Sequence, residues 1–248
     1  MRLKSTITYI LLIATLSIAC RSRYLPNVDH SELIHFDSST VLADDQIEAL
    51  ISPYRHELNK SMNDTIGYLK EAMVKARPEG KLGNLCARML FDYAVTVDKN
   101  IDLVLLNHGG LRAPLSKGAI TRSKIYELMP FDNELVILQL PIEHLDNLAN
   151  AIAAKGGDPI WTRSPVFLKI QNGQGSFENM GTNNPYITIA TSDYLANGGD
   201  SYSVLSRATS RNSTTVLIRE IFLQEISKSS SEEPLESYIE GKVQVVKP

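Results

Sequence analysis

Three short strings in this chain combine residue types that bind ligands. The first is Asn107-His108-Gly109-Gly110-Leu111-Arg112. Paired glycines let the backbone approach a bound group closely and adopt positive φ. Arg112 then offers a planar, permanently charged fork suited to a carboxylate or phosphate. The same residues also make a tight turn bearing a surface arginine, and the string alone fits either role. The second string is Met129-Pro130-Phe131-Asp132-Asn133. Proline sets the approach, and Phe131 either packs inward, as a lone phenylalanine usually does, or presents a stacking surface. The third runs Asp193-Tyr194-Leu195-Ala196-Asn197-Gly198-Gly199-Asp200-Ser201-Tyr202. Two aromatic faces and an acceptor suit a planar base plus a ribose hydroxyl, since base–aromatic stacking contributes ~1–3 kcal/mol. Its plain structural role is an Asp-capped turn before a helix.

Other chemistries lack their residues. The five histidines, His30, His35, His56, His108 and His144, are scattered without metal-ligand spacing. There is no G-x-S-x-G elbow and no Ser/His/Asp or Cys/His set ordered as a triad. The cysteines are Cys20 and Cys86, which cannot form a C-x-x-C site. Cys86 falls on a predicted apolar helix face and reads as core. No catalytic and no metal-binding residue is therefore assigned.

The strings need elements to hold them. A helix is predicted from Asp44 or Asp45, with Ile47, Leu50, Ile51, Tyr54 and Leu58 at spacings of three and four. Thr65 to Val74 suits a strand. Leu82 to Tyr93 reads as a helix with Leu82, Leu85, Cys86, Met89 and Leu90 on one face. Ile101 to Leu106 is a nearly continuous apolar run stopping at the first string, the pattern of a buried strand entering a loop. Ser123 to Met129 then suits a short helix, Glu134 to Leu140 a strand, and Ile142 to Ala154 a helix ended by Gly156-Gly157. Val166 to Ile170 and Tyr186 to Thr191 are predicted strands separated by a Gly- and Asn-rich turn region. A final helix from Thr215 to Ile226 and a last strand from Lys242 to Val246 complete one α/β domain over residues 44–248.

Composition narrows the partners. Hydrophobic residues make up 43% and charged residues 21%, ordinary values for a globular chain with a real core. A net charge of −3 gives no electrostatic basis for binding nucleic acid or a membrane surface, so any anion must be met by a few placed groups. The start is different. Arg2 and Lys4, an apolar run from Ile7 to Ile18, and Ser17-Ile18-Ala19-Cys20 have the order of a secretory signal over residues 1–19. The run is shorter than the ~20 residues a spanning helix needs. Ser17-x-Ala19 fits ordinary cleavage, while Cys20 after Ala19 resembles a bacterial lipobox, with Ser17 where an aliphatic residue is usual. The lipoprotein is the expectation taken here: lipid on Cys20, a polar tether over residues 20–43, and a periplasmic or cell-envelope location.

Taken together, N-x-G-G-[aliphatic]-R, then P-F-x-N, then [aromatic]-L-A-N-G-G-D resemble the C-terminal domain of the 5′-nucleotidases. Glu79 and Leu82-Gly83-Asn84-Leu85 resemble that domain's opening helix motif, and the likeness covers roughly residues 45–245. It implies a mixed α/β (α+β) unit with mixed sheets flanked by helices, binding the nucleoside part of a substrate. By resemblance Phe131 and Tyr194 sandwich the base, and Asp200 accepts from the ribose hydroxyls. Arg112 and Asn107 meet the ribose or phosphate side, Asn133 lies near the base, and Gly109, Gly110, Gly198 and Gly199 shape the loops. The sequence departs from the family at three places. Tyr194 replaces a common phenylalanine, Arg77 is shifted in register by Pro78, and Arg88 stands where an aspartate is expected. The last two imply a weakened or altered anion contact.

A complete 5′-nucleotidase also carries a metallophosphatase domain whose two metals activate water. Its D-x-H, G-D-N and G-N-H-[ED] signatures are absent here; Asn107-His108 echoes the last without its glycine or carboxylate. Divalent metals are thus expected only in a partner. The resemblance implies the nucleotide-recognition half of a phosphohydrolase acting with a separate metallophosphatase subunit. The alternative is a non-catalytic envelope protein that captures nucleosides or nucleotides.

Overall fold

Strands with two buried faces dominate the centre of the molecule, because their apolar runs alternate between two cores. The computed structural model describes residues 44–163, 165–181 and 184–246. The expected signal, the tether and Cys20 lie outside the described residues. By contact the chain divides into Met1–Ile51 and Ser52–Pro248.

In chain order the elements are α1 (Asp45–Met62), β1 (Thr65–Leu69), α2 (Lys81–Val97), β2 (Leu103–Leu105), β3 (Gly118–Thr121), α3 (Arg122–Leu128), β4 (Glu134–Pro141), α4 (Leu145–Ala154), β5 (Ile160–Thr162), β6 (Phe167–Gln171), β7 (Gln174–Glu178), β8 (Tyr186–Ser192), α5 (Asp193–Ala196), β9 (Ser210–Leu217), α6 (Ile218–Ile226) and β10 (Val243–Val246). Five strands form the main sheet in the order β5-β2-β8-β4-β9, with β2 parallel to β8 and the other pairs antiparallel. A second sheet has the order β10-β6-β7, and β1 pairs with β3 in a third. Helices flank these sheets, the first two of which are mixed, as the family resemblance implies.

The main sheet separates the two cores. Leu135 and Ile137 of β4, Val104 of β2 and Ala190 of β8 join the core under α2 and α6. Their neighbours Val136, Leu138, Leu140, Leu103, Leu105, Ile187 and Ile189 point the other way, toward α4 and β6. Side chains alternate across a strand, so a sheet covered on both faces needs a continuous apolar run rather than an alternating one. Each fully buried Leu or Ile here contributes ~1.5–3 kcal/mol. That is why Ile101 to Leu106 and Glu134 to Leu140 are legible as strands.

α1 begins as predicted: the Asp44 carboxylate accepts from the Gln46 and Ile47 N–H groups at 2.9 and 3.1 Å. None of its residues is buried. The predicted final helix is shorter than expected. It starts at Ile218, because β9 runs on to Leu217, opposite Glu134, through a bulge over residues 214–216 in which Thr215 takes φ 61°. β-Branched residues there favour the strand. The Ile142 helix opens as a 3-10 turn over Ile142–His144 before α4. The Gly- and Asn-rich region contains an additional strand, β7, folded back on β6 through Asn172 and Gly173 at φ 52° and 78°. That is the Asn-Gly hairpin turn, a signal already present in the sequence.

Candidate functional site

The three strings converge on one cavity. Asn107, Gly109, Gly110, Arg112, Phe131, Asn133, Tyr194 and Asp200 line a space of about 430 Å³, within the range of small-molecule sites. Gly198 and Gly199 stand outside this lining and shape the turn behind it.

The first wall follows β2. Leu106 is buried, and the chain turns as the Gly110 N–H donates to the Asn107 carbonyl at 3.0 Å. A Cβ on Gly110 would lie 2.8 Å from the movable Asn107 side-chain oxygen and 3.3 Å from the Asn107 carbonyl, a tight approach that Gly109 and Gly110 make without the expected positive φ. Lys75 braces the loop from behind, donating to the Leu111 carbonyl at 2.9 Å and the His108 carbonyl at 3.3 Å. The Arg112 backbone N–H is tied to the Leu128 carbonyl at 2.8 Å, while its guanidinium stays exposed, 5.9 Å from the Phe131 ring centroid. That distance is within cation–π range. The turn and the arginine fork therefore coexist, as the string alone allowed.

Phe131 is 42% exposed, so it does not pack inward. A residue that the sequence did not single out holds it there. Arg219 of α6 is buried; it donates to the Phe131 carbonyl at 3.2 Å and the Met129 carbonyl at 3.4 Å, and forms an ion pair with Asp132. Its guanidinium lies 4.3 Å from the Tyr126 ring centroid, and its Nε has no hydrogen-bond partner. Asn133 closes the loop, its carbonyl accepting from the Ile218 N–H at 2.9 Å.

The third string is a short helix followed by a left-handed turn. Ser192 caps α5, its hydroxyl accepting from the Leu195 N–H at 3.1 Å, while Asp193 accepts from the N–H of Tyr194. The cap is thus Ser192, one residue before the aspartate. Gly198 takes φ 83°, and Asp200 itself takes φ 51°. A Cβ on Gly199 would sit 2.5 Å from both the Tyr194 ring and its carbonyl oxygen. Tyr194 is 48% exposed; Tyr202, eight residues on, is fully buried and offers no face to a ligand. Asp200 is paired with Lys155 at 2.7 Å.

The remaining predicted motifs have structural partners. Glu79 accepts from Asn84 and from the Glu240 and Val243 N–H groups, and Gly83 packs on Pro159. The opening-helix motif therefore fastens α2 to β10 and to the chain before β5. Arg77 donates to the Gly157 carbonyl at 2.9 Å and to Asp158 at 3.3 Å, and Arg88 donates to the Glu236 carbonyl at 2.7 Å. Both departures from the family pattern are engaged inside the fold. Cys86 is fully buried, and burial pushes its thiol far above the usual range.

Sequence reasoning missed Lys75, Lys155, Asp158 and Arg219, and read Tyr202 as a ligand face where the fold makes it a buried donor. A lone Lys, Asp or Arg between apolar runs carries no spacing signal; only the fold brings these side chains to the loops. Among the described residues, no group of three or more His, Cys, Asp or Glu is arranged to hold a metal ion. The two-metal centre of a complete phosphohydrolase does not fit them, and no hydrolytic step is assigned to them. No helix among the described residues is long and apolar enough to cross a membrane.

Residues 64–151 match the family described as 5′-nucleotidase, C-terminal domain. Over 219 residues the chain is 25% identical to the trifunctional nucleotide phosphoesterase protein YfkN of Bacillus subtilis, covering 79% of this chain and 15% of that protein. The solved 5′-nucleotidase precursor from Thermus thermophilus superposes with a TM-score of 0.64 at 26% identity, over 81% of this chain and 43% of that one. Haemophilus influenzae NAD nucleotidase shares the fold, with a TM-score of 0.60 at 17% identity over 83% of this chain and 42% of that one. The chain thus spans less than half the length of these relatives.

Proposed function

From the premise that this chain carries a 5′-nucleotidase C-terminal domain, we propose that it recognises the nucleotide for a metallophosphatase carried on a separate polypeptide. One observation supports this most: three loops distant in sequence supply an arginine fork, two exposed aromatic rings and a carboxylate to one cavity. In this assignment the base stacks between Phe131 and Tyr194 with Asn133 at its edge. Asp200 accepts from the ribose hydroxyls, and Arg112 and Asn107 face the ribose or phosphate. Arg112 supplies charge-assisted hydrogen bonds, the strong kind, in a chain whose net charge of −3 offers no general attraction for anions. The hydrolytic metals and the water that they activate belong to the partner. Export by a signal over residues 1–19 and anchoring through lipid on Cys20 complete the proposal.

Titrating the purified protein with adenosine, AMP and a non-nucleotide phosphate ester, with and without Mn²⁺, tests the recognition step. Metal-independent binding of AMP and adenosine, with none of the plain ester, is the expected result; no binding of either sinks the nucleotide assignment. Nucleotidase activity is then compared for the protein, the metallophosphatase and their mixture. A gain on mixing supports the split enzyme, whereas binding without gain favours envelope capture.

A further inference from the structure

Behind the cavity lies a buried carboxylate that belongs to neither wall and touches both. Asp158 sits just before β5, and its side chain is fully buried. One oxygen accepts from the backbone N–H of His108, in the first loop, at 2.9 Å, and from Arg77 at 3.3 Å. The other accepts from the Tyr202 hydroxyl at 2.7 Å. Tyr202 closes the turn that carries Asp200, its N–H donating to the Gly199 carbonyl at 3.1 Å. Lys155, the ion-pair partner of Asp200, places its ammonium 5.4 Å from the centroid of the Tyr202 ring.

A buried charge persists only when paired and hydrogen-bonded. Asp158 meets that condition through Arg77 and two donors drawn from two loops. Resting on the nucleotide site proposed above, we infer that Asp158 is a positioning residue. It sets the first loop, with Asn107 and Arg112, in register with the turn that bears Asp200 and Tyr194. The two loops leave the ends of the neighbouring parallel strands β2 and β8, and Asp158 ties them by side-chain contacts beyond the last paired residues. Their separation decides whether Arg112 and Asp200 can meet one ligand together. Burial, with Asp158 beside it, pushes the Tyr202 phenol far up, so this group remains a donor throughout the working pH range.

The test uses the full chain with Asp158→Asn, which keeps the shape but replaces an acceptor by a donor, and with Tyr202→Phe, which deletes one donor. Backbone hydrogen exchange is measured without ligand, and AMP and adenosine are then titrated. Asp158→Asn is expected to speed exchange both in residues 107–112 and in residues 194–202, while helix α2 keeps its protection. Affinity for both AMP and adenosine should fall about tenfold, the order that an unmet buried donor implies. Tyr202→Phe should loosen residues 194–202 strongly and residues 107–112 measurably, and it decides the matter if Asp158→Asn does not fold. Faster exchange confined to one loop, or spread equally through α2, overturns the inference, because a purely structural carboxylate has no reason to couple these two segments alone. So does unchanged affinity in a wild-type-like binder. If the unaltered protein binds neither AMP nor adenosine, the nucleotide assignment fails, and exchange still decides the coupling.

Discussion

The Asp200 backbone N–H donates to the Tyr194 hydroxyl at 3.0 Å, closing a turn between residues six apart in sequence through the very group that distinguishes tyrosine from phenylalanine. The proposed base platform is thereby fastened to the proposed ribose acceptor before any ligand arrives. Pre-ordering of this kind lowers the entropy lost on binding.

Tyr194→Phe separates stacking from fastening. It keeps the π-face and removes the hydroxyl, and is expected to weaken adenosine binding several-fold, about 1 kcal/mol for one lost hydrogen bond. Tyr194→Ala should cost ~1–3 kcal/mol through lost stacking. Calorimetric titration with adenosine checks the order wild type, Phe, Ala; equal affinities for all three would remove Tyr194 from the base site.

Gly199→Ala tests the same turn from its backbone. The added methyl would lie 2.5 Å from both the Tyr194 ring and its carbonyl oxygen, so the ring and the backbone of the turn must both shift. Affinity for adenosine should drop as far as in Tyr194→Ala, with Arg112 untouched. A variant that folds and binds like wild type would show that the turn does not govern the ring.

Arg112→Ala should discriminate between ligands. A charge-assisted contact contributes ~1.5–3 kcal/mol, so AMP affinity falls roughly ten- to a hundredfold while adenosine affinity changes little. Equal losses for AMP and adenosine would assign Arg112 to the sugar instead of the phosphate.

Arg219 links stability to the Phe131 platform. Arg219→Met fills the space and spares the chain a buried cation, but releases the Met129 and Phe131 carbonyls and the Asp132 carboxylate. Weaker adenosine binding is expected even where thermal stability is kept, since Asp132, the partner left behind, is solvent-exposed and is not stranded as a buried charge. Unchanged binding would mean that the Met129–Asn133 loop holds its shape without the guanidinium.

Acid should weaken the fold through His108. Burial first, then the neighbouring Arg77 and Lys75 cations, hold this imidazole below its ordinary 6.5, with Asp158 opposing them. As pH falls through about 6.5, the unfolded chain therefore takes up a proton that the folded chain refuses. The stabilisation is complete above that value and is lost progressively below it, until the folded His108 also titrates. Urea midpoints from about pH 8 down to about pH 5 should fall less steeply in His108→Gln; identical slopes would show that His108 does not carry this dependence.

Much of this molecule is legible from local pattern. Asp44 as a cap, the buried run into Asn107 and the two-faced strand from Glu134 follow from burial and backbone chemistry that act within a few residues. The converging loops are legible too, because Ala-Asn-Gly-Gly-Asp carries glycines where a positive φ at Gly198 and a close approach at Gly199 favour them. Asn172-Gly173 signals a hairpin that a turn-region reading of the same residues misses. The expected start of α6 falls three residues early, since the apolar spacing of the helix runs back into Thr215 to Leu217 while their β-branched side chains and the pairing with β4 keep them in β9. Asp158, Lys155 and Arg219, and the buried partner of Tyr202, belong wholly to the tertiary structure. Sequence determines which side chains are charged, aromatic or free of a Cβ; it does not state which of them meet across 44 or 88 residues. Long-range packing of two cores around one sheet decides that, because a buried polar group persists only where its hydrogen bonds are met, as those of Asp158 and Tyr202 are.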